Sequence, residues 1–131
     1  MQMTSRSVAV AAVFVSLMLY GCTLAAQPGP DAAVIEQLRT AGSDLSKPHF
    51  VEFYLYVPTQ AAAERVATRV RDMGCDVSRV DAAALGPGWL VLATKTLIPS
   101  ESAMVELRRQ FDLIVTAENG EYDGWETQVV K

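Results

Sequence analysis

The sequence predicts an α+β domain in which two helices cover one face of a four-stranded antiparallel sheet, with the element order βαββαβ. Three observations predict this fold class: an alternating segment at Phe50–Val57, two later stretches with apolar residues at helical spacing, and a long β-rich run between those stretches. Half of the 131 residues are apolar and 20% are charged. One domain with a packed core is therefore expected, and a disordered or disulfide-dense chain is excluded.

The first strand is predicted at Phe50–Val57 because its side chains alternate between two faces. The apolar face carries Val51, Phe53, Leu55 and Val57, and the other face carries Phe50, Glu52, Tyr54 and Tyr56. Pro58 and Thr59 end the strand and begin the first helix, which keeps an apolar stripe as far as Met73 and ends at Gly74. The aliphatic face of the strand and the stripe of this helix are expected to form the core.

The second half of the chain supplies three more strands and one more helix. The predicted elements are a weak strand at Cys75–Val80, an interior strand at Trp89–Ile98 after the Gly86–Gly88 loop, a helix opened by Pro99 and Ser100 and ended by Asn119 and Gly120, and a closing strand at Tyr122–Val130. Trp125 and Tyr122 have opposite phases in the closing strand. We therefore predict that Trp125 packs under the helices, that Tyr122 reaches the rim or the open face, and that Gly124 lets the two rings pack closely.

The N-terminus has the pattern of a membrane-directed leader. The 19 residues of Val8–Ala26 carry no charge, and Arg6 precedes them. The tetrapeptide that ends at Cys22 resembles the lipobox of bacterial lipoproteins, with Tyr20 at a position that is usually small. Lipidation at Cys22 is the expected outcome, and cleavage near Ala25 without lipidation or an uncleaved anchor are the alternatives. All three place the rest of the chain outside the cytoplasm.

These patterns divide the chain into three parts. Residues 1–21 are predicted to be a signal peptide of the lipoprotein type, residues 22–43 a lipid anchor, spacer and short helix, and residues 44–131 the domain. The short helix is expected to take Asp31 as its N-cap and to end at Gly42. The predicted location is the cell envelope, with the domain anchored to a membrane and facing outside the cytoplasm.

The sequence offers no set of residues for catalysis, for a metal or for a cofactor. His49, the single histidine, stands beside Pro48 at a strand entrance, where a solvated or hydrogen-bonded histidine is expected. Cys75 is expected to be a small buried residue instead of a reactive thiol. The carboxylates of Glu121 and Asp123 are expected to face solvent or bond the backbone. We therefore predict no enzyme active site, no metal and no cofactor.

The open face of the sheet is the most informative surface, because Tyr54 and Tyr56 lie on it. Three interpretations stay open: side chains that only pack, a patch that binds a protein, and a platform that stacks unpaired bases. The formal charge of −4 argues against a nucleic-acid partner, because nucleic acid is bound mainly through clustered lysine and arginine.

Three segments of the chain are distinctive. They are VEFYLYVPT at Val51–Thr59, WLVLATKTLIP at Trp89–Pro99 and GEYDGWETQVV at Gly120–Val130, of which Glu121–Trp125 is the most specific part. Together they resemble the family of regulator of ribonuclease E activity B (RraB), over residues 44–131. The resemblance implies a ferredoxin-like α+β sandwich and a non-catalytic protein that lowers the activity of endoribonuclease E by binding it. That enzyme is cytoplasmic whereas the leader predicts export, so the fold carries over and the partner is left open.

The function predicted from the sequence is therefore protein binding by a ferredoxin-like domain tethered to the envelope, with ribonuclease E as a partner by resemblance only. The alternatives are a nucleic-acid-binding module of the same fold and a structural envelope lipoprotein. Membrane attachment is expected through lipid at Cys22. The residues expected to contact a partner are Glu52, Tyr54, Tyr56, Tyr122, Asp123 and Trp125.

Overall fold

The computed structural model describes residues 28–131. The predicted signal peptide and Cys22 lie outside the described residues. In chain order the elements are α1 (Pro30–Thr40), β1 (His49–Val57), α2 (Gln60–Asp72), β2 (Asp76–Ala82), β3 (Trp89–Leu97), α3 (Glu101–Thr116) and β4 (Glu121–Thr127). Among residues 28–131, the helices are all too short or too polar to span a bilayer.

The four strands form one antiparallel sheet with the order β2-β3-β1-β4. The two central strands, β1 and β3, pair along their whole length, from His49 opposite Leu97 to Val57 opposite Trp89. Helix α2 connects β1 to β2, and α3 connects β3 to β4. This arrangement confirms the predicted α+β class and the ferredoxin-like order of its elements.

The apolar face of β1 forms the centre of the core, as predicted. Val51, Phe53 and Leu55 are fully buried, and the ring of Phe53 lies 4.9 Å from that of Phe111 on α3. Burying one such side chain contributes about 1.5–3 kcal/mol to folding. The buried side chains that α2 adds are Ala62, Ala63, Val66, Ala67 and Val70.

Both connecting helices begin where the sequence predicts, because a side-chain hydroxyl caps each of them. Thr59 Oγ1 accepts a hydrogen bond from the Ala62 amide at 3.1 Å, and Ser100 Oγ accepts one from the Ala103 amide at 3.2 Å. Each cap satisfies an amide of the first turn that has no partner inside the helix. The caps thereby fix where the chain turns from strand to helix.

Helix α1 packs onto the sheet and helices that follow it. It begins at Pro30 with Gly29 as its N-cap, so the expectation that Asp31 is the N-cap is wrong. Proline is favoured at the first helical position because no intrahelical partner exists there for an amide. Asp31 therefore lies within the first turn and is only 2% exposed, while Ile35 and Leu38 join the core.

A β-bulge in β4 decides which face Tyr122 presents. The pairing with β1 shifts at Asp123, which is one extra residue in the edge strand. A shift of one residue reverses the face of a side chain, so Tyr122 lies on the same side as Trp125. The prediction that Tyr122 reaches the rim or the open face is therefore wrong. Gly124 has a φ of +115° and no atom within 4 Å of an added Cβ, so it serves the bulge and not close ring packing.

Gly120, which follows α3, lies close to the end of β1. Its amide donates to the Val115 carbonyl at 2.8 Å. A Cβ at this position would lie 2.7 Å from Val57 Cγ1 and closer still to the Tyr56 carbonyl oxygen. The Gly120→Ala variant is therefore expected to lose about 1–3 kcal/mol of unfolding free energy in urea titrations.

Gly29→Ala is the matched control for Gly120→Ala, since nothing lies within 4 Å of a Cβ at Gly29. Its cost is expected to stay below about 1 kcal/mol, the ordinary loss at an N-cap. Equal stability of the two variants would contradict the close approach.

Candidate protein-binding face

The open face, which is the side of the sheet turned away from the helices, gathers three of the six predicted contact residues. Glu52, Tyr54 and Tyr56 alternate along β1 with the buried core residues. Residues directly opposite one another on paired strands share a face, so the register adds members from the other three strands. These are Leu90, Leu92 and Thr94 on β3, Asp76, Arg79 and Asp81 on β2, and Glu121 and Glu126 on β4.

The other three predicted contact residues do not join this face. Trp125 is 7% exposed and belongs to the core, which confirms its predicted position. Tyr122 is half-buried against the core on the same side. Asp123 is exposed at the bulge of the edge strand. The set named from the sequence is thus divided between two sides of the sheet.

The two tyrosines of the open face cover a pair of leucines. Tyr54 lies opposite Leu92 and Tyr56 opposite Leu90. The leucines are each only 6% exposed although they point away from the helices, while the tyrosines keep part of their surface accessible. Packing and surface contact are therefore compatible roles for the same rings.

Carboxylates dominate the charge of the open face. The face carries one basic side chain, that of Arg79, and five acidic ones, which gives a net charge of −4. The acidic residues are Glu52, Asp76, Asp81, Glu121 and Glu126. Residues 28–131 together carry ten basic and fifteen acidic side chains, a net charge of −5. The open face thus carries five of these fifteen acidic side chains and only one of the ten basic ones, so its excess of negative charge is larger than that of the rest of the described surface.

Tyr54 is coupled to Glu126 across the strands. Its hydroxyl donates a hydrogen bond to Glu126 Oε1. This hydrogen bond, together with burial and the negative charge of Glu126, raises the pKa of Tyr54 to about 12, because each favours the neutral phenol. The phenol therefore stays a hydrogen-bond donor at neutral pH.

The pKa of Tyr54 is expected to fall from about 12 towards the ordinary value of 10.0 in the Glu126→Gln variant. The variant removes the charged acceptor that stabilises the protonated phenol. An NMR titration of the Tyr54 ring carbon that bears the hydroxyl measures this pKa. Glu121→Gln is the control and should leave the titration unchanged, and a pKa that stays near 12 in Glu126→Gln would contradict the coupling.

A cleft of about 570 Å³ opens at one end of the open face, where β1 meets the segment after β4. Phe50 is 58% exposed and Val129 is 40% exposed, and both line the cleft together with Glu52 and Glu126. Apolar surface beside carboxylates suits a long cationic side chain, which has an apolar stem and a charged end. A larger groove of about 880 Å³ runs beside α1, away from the predicted contact residues.

A partly buried ion pair and a hydrogen bond to it connect α1 with α3 and β4 on the helix side. Arg108 donates to both carboxylate oxygens of Asp31, from Nε at 2.8 Å and from Nη2 at 3.0 Å, and Trp125 Nε1 donates to Asp31 at 3.0 Å. The guanidinium also lies 4.9 Å from the centre of the Tyr122 ring. The hydrogen bonds from Arg108 to Asp31 raise the pKa of Arg108, and burial raises that of Tyr122.

This cluster explains the positions of Tyr122 and Trp125, and sequence reasoning missed two of its members. Asp31 and Arg108 are 77 residues apart, so no local spacing pattern links them. The one available signal was Trp125, because a buried indole N–H requires an acceptor. Asp31 and Trp125 are buried and Arg108 and Tyr122 are partly buried, so the cluster joins elements of the fold and presents little accessible surface.

His49 is buried in a hydrogen-bonded network at the start of β1. Its Nδ1 lies 2.8 Å from the Lys47 carbonyl oxygen, which can only accept, so Nδ1 carries the proton. Ser43 Oγ therefore donates to His49 Nε2 at 2.7 Å, and it accepts from the Val130 amide at 2.9 Å. The hydrogen-bonded role predicted for His49 is confirmed, and the solvated one is wrong because the residue is fully buried.

The remaining candidates for chemistry are Cys75 and the acidic side chains. Cys75 is 4% exposed, as predicted, and burial raises the pKa of its thiol, which disfavours the nucleophilic thiolate. Among residues 28–131, His, Cys, Asp and Glu side chains form no group able to hold a metal ion.

The element order and the accessible sheet surface define a class, that of small ferredoxin-like α+β domains that present one face of a four-stranded sheet. Within this class, the family model for regulator of ribonuclease activity B matches residues 30–127, and the chain belongs to this family. The match runs from the start of α1 to the end of β4. The family is a regulatory one. A search of the curated proteins finds no match.

Proposed function

We propose that this chain regulates a ribonuclease by binding it, without catalysis of its own. The family match carries the proposal. The open face supports it, because accessible tyrosines beside carboxylates are a surface that a protein partner can recognise. The non-catalytic part is supported by His49 and Cys75, which are both buried and thus out of reach of a substrate.

The test is an RNA-cleavage assay with ribonuclease E, the partner that the family resemblance suggests. Adding the purified full chain is expected to lower the cleavage rate in a concentration-dependent way, and the chain alone is expected to leave the RNA intact. A ribonuclease of unrelated fold is the control and should be unaffected. Cleavage by the chain alone would refute the non-catalytic role, and an unchanged rate with the chain in large excess over the enzyme would refute ribonuclease E as the partner.

We also propose that the domain is held at the cell envelope by lipid on Cys22 and faces outside the cytoplasm. The uncharged run Val8–Ala26 and the lipobox-like end of this run support the proposal. The partner is then a ribonuclease of the compartment that the domain reaches. A topology reporter joined to Lys131 distinguishes the compartments, and reporter activity confined to the cytoplasm would overturn the external location.

The Cys22→Ser variant is expected to lose its membrane association, because serine has no thiol to carry the lipid. Cell fractionation and the mass of the processed protein measure the outcome. Cys75→Ser is the control and should fractionate with the wild type. If Cys22→Ser keeps both the wild-type mass and the wild-type location, the lipid anchor is wrong.

A further inference from the structure

We infer that the open face imitates the negative charge of RNA and docks on the arginine-rich, RNA-binding surface of the ribonuclease. The inference rests on the proposed function and names the contact surface on each side. A ribonuclease binds a polyanion, and proteins do so with clustered lysine and arginine. A face with a net charge of −4 is complementary to such a surface.

Most carboxylates of the open face lack a basic partner among residues 28–131, whereas the helix side carries both paired and unpaired carboxylates. On the helix side, Glu106 pairs with Arg109 at 2.7 Å and Glu118 pairs with Arg65 at 2.8 Å. On the open face, by contrast, no basic side chain of residues 28–131 lies within 4.0 Å of Glu52, Asp76 or Glu121. Only Asp81 has such a neighbour, Arg79 at 3.6 Å. A cationic partner therefore finds carboxylates that the fold does not already neutralise.

Two carboxylates of the open face lie opposite each other, where their negative charges repel. Glu52 lies directly opposite Glu126 on neighbouring strands, and like charges at such positions destabilise a sheet. The Tyr54 hydroxyl donates to Glu126, whereas no basic side chain of residues 28–131 lies within 4.0 Å of either carboxylate. A guanidinium bound between the two carboxylates would remove the repulsion between them, so binding and relief of repulsion act together.

The cleft at this end of the face fits an arginine side chain. Glu52 and Glu126 line the cleft with Phe50 and Val129. Carboxylates accept the paired N–H donors of a guanidinium, and an exposed aromatic ring can stack on its plane. The apolar surface covers the arginine stem. Lysine offers a compact charge without the planar group, so the cleft is expected to discriminate between the two.

The experiment measures binding of a fluorescent arginine-rich peptide to the full chain by anisotropy at low and high salt. The wild type is expected to bind at low salt, and the Glu52→Gln plus Glu126→Gln double variant to bind at least about tenfold more weakly. A lysine-rich peptide of equal length is expected to bind more weakly than the arginine-rich one. The control is Glu64→Gln plus Asp72→Asn on the exposed side of α2, which changes the net charge equally and should retain wild-type affinity.

Thermal unfolding separates loss of binding from loss of folding. Because Glu52→Gln plus Glu126→Gln removes a repulsion, this variant is expected to unfold at the wild-type temperature or above it. Equal loss of peptide binding in the open-face and α2 variants would assign the effect to total charge, and unchanged binding in the open-face variant would exclude the cleft. Either result overturns the inference.

The ribonuclease assay then distinguishes this inference from the proposed function. The open face is expected to compete with RNA, so it should raise the KM of the ribonuclease and leave kcat unchanged, and the open-face double variant should lose this effect. Inhibition by wild type and double variant alike would keep the regulatory function and reject the surface. Glutamate-dependent peptide binding without any effect on the ribonuclease would reject the function and keep the surface.

Discussion

Replacing Trp125 with alanine is expected to lower the free energy of unfolding by about 3–5 kcal/mol. The indole is 7% exposed and belongs to the core, so its removal leaves a cavity. It also leaves Asp31 without the N–H donor at 3.0 Å. Urea titration followed by circular dichroism measures the loss.

Trp125→Phe separates the two contributions, because phenylalanine keeps an aromatic ring and removes the N–H donor. Its loss of stability is expected to lie between those of the wild type and the alanine variant. A loss below about 1 kcal/mol for Trp125→Ala would place the ring at the surface. Trp125 would then return to the set of partner contacts.

Replacing Asp31 with alanine is expected to cost about 2–4 kcal/mol. Breaking a buried ion pair on one side costs about 3–5 kcal/mol when the remaining charge stays buried. The Arg108 side chain is 26% exposed and can turn partly to water, so the expected cost is lower than that. Trp125 also loses its acceptor, which adds the penalty of a buried N–H without a partner.

Asp31→Asn keeps an oxygen acceptor for Trp125 and removes the charge that Arg108 requires, so its cost is expected to be smaller than that of alanine. Glu36→Ala is the matched control on α1. Its carboxylate pairs with Arg39 on the surface, and its loss is expected to change stability by less than about 0.5 kcal/mol. Similar costs for Asp31→Ala and Glu36→Ala would show that the buried pair does not hold α1 in place.

The elements that follow a regular period could be predicted from the sequence. The alternation at Phe50–Val57 locates β1 and assigns each of its side chains to a face, because a strand has a period of two residues. Thr59 and Ser100 likewise locate the helix starts, since capping depends only on residues three positions apart. Local chemistry was sufficient for both.

The features that depend on distant contacts could not be predicted. The bulge at Asp123 moves Tyr122 to the helix side. The alternation of apolar and polar residues in β4 does not indicate that the strand contains an extra residue. The sequence shows a glycine at position 124 and suggests close packing of the neighbouring rings as its role. The structure shows instead that this position requires glycine because its φ is +115°. The role of Asp31 could not be predicted either, because its bond to Arg108 spans 77 residues and leaves no local pattern in the sequence.

For the candidate binding face, the sequence predicts which side chains of one strand share a face. It does not predict which side chains of the neighbouring strands lie beside them. Glu52, Tyr54 and Tyr56 were assigned to the open face from β1 alone. The carboxylates that β2 and β4 add, among them Glu126 opposite Glu52, require the pairing register. The charge of the whole face is therefore a property of the fold that no single segment reveals.

The docking of α1 fixes the point at which any N-terminal tether must begin. Cys22 precedes Pro30, the first residue of α1, by eight residues, and a polypeptide spans at most about 3.6 Å per residue. In a chain anchored at Cys22, the segment between the anchor and α1 is therefore no longer than about 29 Å, which is less than the width of a domain with a radius of gyration of roughly 13 Å. A tether of this length, if lipid is attached at Cys22, would confine the domain to a layer over the bilayer about one domain thick, where a partner held at the same membrane would meet it at a raised local concentration.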